Sequence, residues 1–470
     1  MTDNPIAASE SLAPERPLAS ARRLILPLAL AQFICSFAGS NMNVMIADIS
    51  DDLNTTVKGV QTAITLFLLI MAILMIPCSK LTDRWGRKRC FIWGLTLYGA
   101  GALLSAASPN LGVLILGNSV LEGVGTALLI PPVYILATLW FTETTSRAWA
   151  FGVISGLGGI GAAAGPLIGG VITTGISWRA AFVFQAAVVG TIVLLSRRLV
   201  DPLPPDPIRP FDGVGAILSA VGMFFVVFGI LQAGTHNVLF AVFVVLGLAF
   251  LIGFYFYIRA RERAGKEPLL STGLFRNRIC NLALVTQNVQ WLILMGTSFV
   301  VSVFLQEVRG YSAIGTGVVF TASTVGLLVS SFAAQRLAEK YSQRTLIVAG
   351  FVVTLAGIGL LLGFVHASSR VVAFVPGLLL IGLGLGAMLT PSVNVVQSSF
   401  PEALQGEISG LSRSISNLGS TFGTAIAGTI LVSVVATGTR SYSVAMIVLG
   451  VFGLIGLVAA LRLPARVESA

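Results

Sequence analysis

Fourteen apolar runs, each close to the length that spans a bilayer, constrain this chain more than any other feature. They lie at roughly 24–47, 59–78, 90–107, 111–140, 148–174, 180–196, 213–233, 239–258, 281–304, 314–333, 345–365, 371–397, 406–436 and 442–461. A spanning helix needs about 20 apolar residues. Strands of a membrane barrel would alternate apolar and polar over about ten residues, whereas these runs are apolar on all sides. An all-α membrane protein is therefore expected. Composition agrees, with 55% hydrophobic and 10% charged residues, where soluble domains carry about 25% charged. A chain this poor in charge needs lipid around it.

Short loops alternate in charge. On the N-terminal side they hold Arg22, Arg23, Lys80, Arg84, Arg87, Lys88, Arg89, Arg147, Arg197, Arg198 and most later basic residues. The opposite loops hold only Lys58, Arg179, Arg309, Arg370 and Arg440. This bias places both termini in the cytoplasm of a multi-pass cell-membrane protein. The net charge of +10 is split into clusters between apolar runs, which argues against nucleic-acid binding. Cys35, Cys78, Cys90 and Cys280 form no CxxC pair and have two histidines for company, so neither a metal site nor a disulfide framework is expected. The first apolar run is too long for a signal-peptide core and lacks a small-residue cleavage site.

A shift of 254 residues lays Gly152-Val-Ile-Ser-Gly-Leu157 on Gly406-Glu-Ile-Ser-Gly-Leu411, Gly165 on Gly419 and Gly169 on Gly423. At nearly the same shift Leu81, Asp83, Arg84 and Trp85 meet Leu337, Glu339, Lys340 and Tyr341. A six-span unit therefore repeats, and runs seven and eight are an insertion. The expected layout is a polar, disordered tail (1–22), a six-helix bundle (23–198), a linker with the inserted hairpin (199–260), a loop (261–280), a second bundle (281–463) and a tail (464–470).

Ser79-Lys-Leu-Thr-Asp83-Arg84-Trp-Gly86-Arg87-Lys88 resembles the GxLaDrxGrk loop of the major facilitator superfamily. Gly161-Ala-Ala-Ala-Gly165-Pro166-Leu-Ile-Gly169-Gly170, followed by Trp178-Arg179-Ala-Ala-Phe182, resembles the gxxxGPxxGG helix of its antiporters. Phe211-Asp212-Gly-Val-Gly215, Leu274-Phe275-Arg276-Asn277-Arg278 and Gln306-Glu-Val-Arg-Gly310-Tyr311-Ser312 are similar to stretches of the fourteen-span drug:proton antiporter family. The resemblance covers nearly the whole chain. It implies a fold of two six-helix repeats that works as one copy. It also implies export of small, amphipathic, often cationic compounds against proton entry, with the proton gradient as energy source and no cofactor. Asp83 would latch the cytoplasmic side to Arg147, or the loop would serve only as a topology signal. Two departures stand out. Run four carries Ser119 and Glu122 where the family has Arg and Gln, and Ala38-Gly39-Ser40-Asn41-Met42-Asn43-Val44 lacks the family's carboxylate. There the resemblance supplies neither a proton route nor a preference for quaternary cations. The formal GxGxxG from Gly156 to Gly161 follows no strand and marks no dinucleotide site.

Three formal charges lie within the runs: Glu122, Glu407 and Arg413. Each costs about 2.5–3.5 kcal/mol on insertion scales, so such residues are read as functional by default. Glu122 is placed near the midplane as the proton-coupling candidate, with Asp48 second; a pair with Arg413 or a hydrogen bond to a neighbouring helix is the structural alternative. Glu407 reads as a helix-terminus charge. Gln32, Asn41 and Asn43 in run one, Gln287, Asn288, Gln290 and Trp291 in run nine, Asn394 in run twelve and Arg413 are candidates for a central cavity, or for plain helix–helix hydrogen bonding. Rival functions are export of a lipid or dedicated metabolite, import by symport, and a membrane scaffold.

Overall fold

The computed structural model describes residues 18–141, 143–197, 199–208, 210–233, 236–338, 340–367, 371–400, 405–433 and 439–464. Among these residues are fourteen long helices and no strand. In chain order they are α1 (Leu18–Asn41), α2 (Val57–Trp85), α3 (Arg87–Ala106), α4 (Leu111–Trp140), α5 (Thr144–Gly175), α6 (Trp178–Ser196), α7 (Gly213–Gln232), α8 (Asn237–Arg263), α9 (Arg278–Val308), α10 (Ala313–Leu337), α11 (Gln343–Ala367), α12 (Val375–Ser398), α13 (Gln405–Ser433) and α14 (Thr439–Leu461). By length and composition twelve of them can cross a membrane. The other two are α3 and α13. α3 opens on Arg87-Lys88-Arg89. α13 carries Glu407, Arg413 and a series of Ser, Thr and Asn residues. α13 packs on α2 and α9, and α3 packs on α4 and α6 while turning Trp93 and Leu103 outward.

Short polar residues between the runs start several helices. The side chains of Thr56, Asn110, Ser177, Asp212 and Asn277 each accept from a backbone N–H in the first turn of the helix that follows, satisfying donors that a helix start leaves open. The ends differ from the sequence reading in two places. α1 stops at Asn41, and the chain turns through Met42–Val44 into a short helix, Ile46–Asp52. α2 runs on to Trp85, so Ser79 to Arg84 are helical rather than loop. Gly86 alone separates α2 from α3, at φ +92°. With ψ at 137° this is a conformation that an L side chain adopts only at a cost of about 1–3 kcal/mol.

The repeat is visible in the packing. α1 packs on α5 as α9 packs on α13, α3 on α4 as α11 on α12, and α3 on α6 as α11 on α14. The two halves meet where α2 packs on α13 and where α5 packs on α10. These contacts are themselves equivalent, since α2 matches α10 and α5 matches α13. The halves are therefore related by an axis along the bundle, as in parallel transporter repeats. Inserted helix α7 lies against α2 and α13 at the junction. α8 packs mainly on α7 and turns Val238, Val245, Ile252 and Phe256 outward.

Glycines set how close the helices come. A Cβ on Gly161 would collide with the Phe33 carbonyl oxygen, and one on Gly165 with Ser40 Oγ. Gly170 abuts Ala313 O and Gly317 abuts Pro166 O. The Gly161–Gly170 segment is thus a two-sided joint, with one stripe on α1 and the other on α10 across the halves. Gly161→Leu should cost about 1–3 kcal/mol by overpacking. Purified protein should then melt several degrees lower, while Gly156→Ala, with nothing within 4 Å of the new Cβ, should melt as wild type. Equal melting of Gly161→Leu and wild type would refute the joint.

Candidate functional site

A central cavity lies between the halves. Its lining comes from α1 (Gln32, Cys35, Ser36, Gly39), α2 (Leu68, Met71, Met75), α4 (Ile130), α9 (Trp291, Met295) and α13 (Arg413, Ser416, Asn417, Ser420). Counting what opens to solvent, it holds about 500 Å³ of empty space. The lining from α2, α4 and α9 is apolar and methionine-rich; that from α13 and much of that from α1 is polar. Among the described residues Arg413 is the one charged residue of the lining. Its guanidinium lies 4.2 Å from the centroid of the Tyr134 ring. The Tyr134 hydroxyl donates to Gln32 Oε1 at 3.1 Å, and Gln32 Nε2 donates to Ser36 Oγ at 3.2 Å.

Of the nine cavity candidates read from the sequence, the structure brings together Gln32, Trp291 and Arg413. The others lie elsewhere. Asn43 Nδ2 donates to Ser298 Oγ at 3.0 Å, away from the basic loops. Gln287 accepts from Ser412 Oγ (2.8 Å) and Asn288 donates to Ile415 O (2.9 Å), which ties α9 to α13. Asn41 and Gln290 are buried with unpartnered amides, outside the cavity lining. The side chain of Asn394 is exposed. For all but Asn394, helix–helix bonding or simple burial replaces cavity lining. Ser416, Asn417 and Ser420 were missed. They follow Arg413 at helical spacing, and that polar stripe was readable. Met71 and Met75 carried no signal beyond hydrophobicity.

Glu122 is fully buried, at the end of a π-helical stretch, Ile115–Glu122. It faces α3, not the cavity. A Cβ on Gly101 would sit 2.9 Å from Glu122 Cγ. Ser105 Oγ donates to Glu122 Oε1 at 3.4 Å, and Tyr98 is its other polar neighbour. Glu122 and Arg413 make no ion pair among the described residues. The Tyr98 hydroxyl donates to Gln185 Oε1 and reaches Ile34 O at 3.5 Å. Cys35, beside Ile34, lines the cavity and donates to Thr126 Oγ1 at 3.8 Å. A polar thread through α1 therefore lies between the carboxylate and the cavity.

Asp48 is exposed on the short helix Ile46–Asp52. Partial burial holds its carboxyl above the ordinary range, and Asp51 adds to the effect. Asp52 on the same helix accepts from Arg179 Nη1 and, at 3.1 Å, from Trp178 Nε1. The Arg179 hydrogen bond holds it below the usual carboxylate range. That tie is present at neutral pH and is lost only as pH falls through the lowered value.

Each face of the cavity carries ties between the halves. At the face without the basic loops, Gln306 Nε2 donates to Asn43 O (2.9 Å), Ala47 N donates to Gln306 Oε1 (3.2 Å) and Ile314 N donates to Thr174 Oγ1 (3.0 Å). At the basic face Lys80 bridges Glu407 (2.7 Å) and Glu267 (3.1 Å). The other Glu407 oxygen accepts from Ser271 N at 3.1 Å. Glu407 thus closes a bridge between halves. Asp83 pairs with Arg87 at 2.6 Å, one turn on. The Arg147 side chain lies outside the described residues, and so does any pairing of it with Asp83. Arg84 is exposed. Arg87 N (2.6 Å) and Lys88 N (3.3 Å) donate to Asp201 Oδ2, and Lys88 Nζ donates to Arg197 O (3.2 Å). This places a carboxylate at the start of α3, where the helix dipole favours it.

The model of the Major Facilitator Superfamily matches residues 28–276, 211–423 and 283–470. The chain belongs to this superfamily. It is 30% identical to the puromycin resistance protein pur8 of Streptomyces alboniger, over 87% of this chain and 81% of that one. It is 27% identical to the multidrug efflux pump LfrA of Mycolicibacterium smegmatis, over 86% and 79%. A crystal structure of peptide transporter POT in complex with sulfate superposes with a TM-score of 0.68 at 16% identity, covering 95% of this chain and 96% of that one. That likeness shows the fold.

Lys80→Met should loosen the basic face. Removing a partly buried bridge of about 1 kcal/mol changes an open population roughly fivefold. Cys35 reports it: with Cys78, Cys90 and Cys280 replaced by Ala, a maleimide added from the basic side should alkylate Cys35 several times faster in Lys80→Met. An unchanged rate would show that the bridge does not hold this face.

Proposed function

We propose that this protein exports small amphipathic compounds from the cytoplasm in exchange for protons. The central cavity carries this reading. It lies between two equivalent halves, tied at both faces, with an apolar wall and a polar wall. Rocking of the halves exposes such a cavity to one side at a time. The efflux and resistance proteins to which the chain is similar support export as the direction. The chain sits in the cell membrane as one copy, with both termini and the basic loops in the cytoplasm. The proton gradient supplies the energy, and no cofactor takes part.

Glu122 is the proposed proton carrier, with Asp48 second. Glu122 is a carboxylate inside the membrane with hydroxyl neighbours and no basic partner among the described residues. Proton uptake and release at such a carboxylate would depend on which side of the membrane has access to it. The test uses purified protein in liposomes with an imposed pH gradient. Wild type should accumulate an amphipathic probe against its gradient. Glu122→Gln should lower uphill transport at least tenfold and leave downhill exchange in place. Full gradient-driven transport in Glu122→Gln would move the role to another carboxylate, and no gradient-driven transport by wild type would overturn antiport.

A further inference from the structure

Arg413 lies on α13 eight residues from its start at Gln405, about 12 Å along the axis at 1.5 Å per residue. A charge at such depth is kept where it has a partner. Here the partner is incomplete. The Tyr134 ring faces the guanidinium, and a ring supplies only part of the compensation that an anion would. Arg413 makes no ion pair among the described residues, and its Nη2 is buried with no hydrogen-bond partner. Among the described residues no Asp or Glu lines the cavity.

The rest of the wall is built around this point. Ser416, Asn417 and Ser420 continue the Arg413 face of α13, and Gln32 and Ser36 stand on α1. The side-chain amides of Gln32 and Asn417 can donate to an acidic headgroup without opposing its charge, whereas the Ser416 and Ser420 hydroxyls donate to Ser412 O (2.9 Å) and Ser416 O (3.3 Å). Beyond them lie Leu68, Met71, Met75, Trp291 and Met295. Methionine fits irregular apolar shapes. A guanidinium holds a carboxylate through two parallel hydrogen bonds.

We propose that the cavity is a binding site for organic anions: amphiphiles whose single acidic group, a carboxylate or ionised phenol, seats on Arg413 while the apolar body lies on Trp291 and the methionines. This deepens the export reading and rests on it for direction and energy. A cationic amphiphile meets a like charge in the same place, with no carboxylate among the described lining residues to offset it.

Three probes of nearly one shape make the test: 2-naphthoate, neutral 2-naphthamide and cationic 2-naphthylmethylammonium. Binding to the purified full-length protein is measured by calorimetry, and flux is measured in liposomes. Wild type should bind the naphthoate at least tenfold more tightly than the amide, and the cation weakest. Arg413→Gln should bring naphthoate affinity down to that of the amide and leave the amide unchanged, which also shows that the variant is folded. Arg413→Lys keeps the charge without the fork and should retain part of the preference. Naphthoate binding no tighter than that of the amide or the cation, no naphthoate binding at all, or a preference that survives Arg413→Gln would each overturn the proposal. The two readings fail separately. Gradient-driven flux of the amide or cation without naphthoate preference keeps export and removes the anion site. Arg413-dependent naphthoate binding with no gradient-driven flux of any probe keeps the site and removes export.

Discussion

Close approach of helix backbones is the constraint on which this architecture rests. Lipid tails are as apolar as leucine, so helices gain little from hiding hydrophobic surface from one another in a membrane. They hold through contact and through polar groups. Gly161 and Gly165 let α5 settle on the carbonyls and hydroxyls of α1, and Gly419 and Gly423 do the same for α13 on α9. In the second half Gly382 and Gly386 on α12 meet the backbone of α10 at Ser323 and Leu327. One type of contact, repeated by the internal duplication, builds both halves.

The two junctions between halves differ in chemistry. At α5–α10 backbone lies on backbone, with Gly317 against Pro166 O and Gly170 against Ala313 O. At α2–α13 the contact is polar along its length. Gln61 Nε2 reaches Ala425 O (3.5 Å), Ser414 Oγ donates to Ala72 O (2.6 Å), and Lys80 meets Glu407. The inserted pair joins this side. Asp212 at the start of α7 accepts from Leu269 N (3.0 Å) and Tyr257 (3.1 Å), and Arg261 holds Glu267 O (2.9 Å). The segment that presents Glu267 to Lys80 is therefore braced by α7 and α8. The insertion thus bears on the basic-face bridge as well as on lipid.

Much of this was legible before any coordinates. Fourteen runs became fourteen helices, and the 254-residue offset became equivalent packing. These follow from local properties, hydropathy and glycine spacing, which a sequence carries openly. The cavity was only partly legible because polarity does not say which way a side chain turns. Asn288 and Trp291 sit one turn apart on α9, yet Asn288 closes a bond to Ile415 O and Trp291 lines the cavity. The bridge from Lys80 to Glu407 spans 327 positions of sequence. No spacing rule links such residues, and Glu407 read alone is only a charge at a helix end.

The placement of Glu122 bears on how proton and substrate would be coupled. A carboxylate lining the cavity can bind either a proton or a cationic substrate, and exchange follows from competition for the same atoms. Glu122 faces Ser105 and Tyr98 behind α1, whereas Arg413 faces the cavity from α13. The two share no ligand atom. Coupling between them would therefore pass through structural elements that both sites touch: α4, which carries both Glu122 and the Tyr134 ring facing Arg413, and α1. α1 presents Ile34 O to Tyr98 on one side and Gln32, Cys35 and Ser36 to the cavity on the other. It also packs on α5, which carries the α10 junction. If Glu122 carries the proton, a change of its charge would act on α1 through Tyr98, which reaches Ile34 O. Through α5, α1 in turn bears on how the halves sit together. On this geometry a proton and an anionic substrate need not exclude one another by contact. Their exchange would arise because each favours a different setting of α1 between the halves, a coupling carried by an element with two arrangements rather than by a shared site.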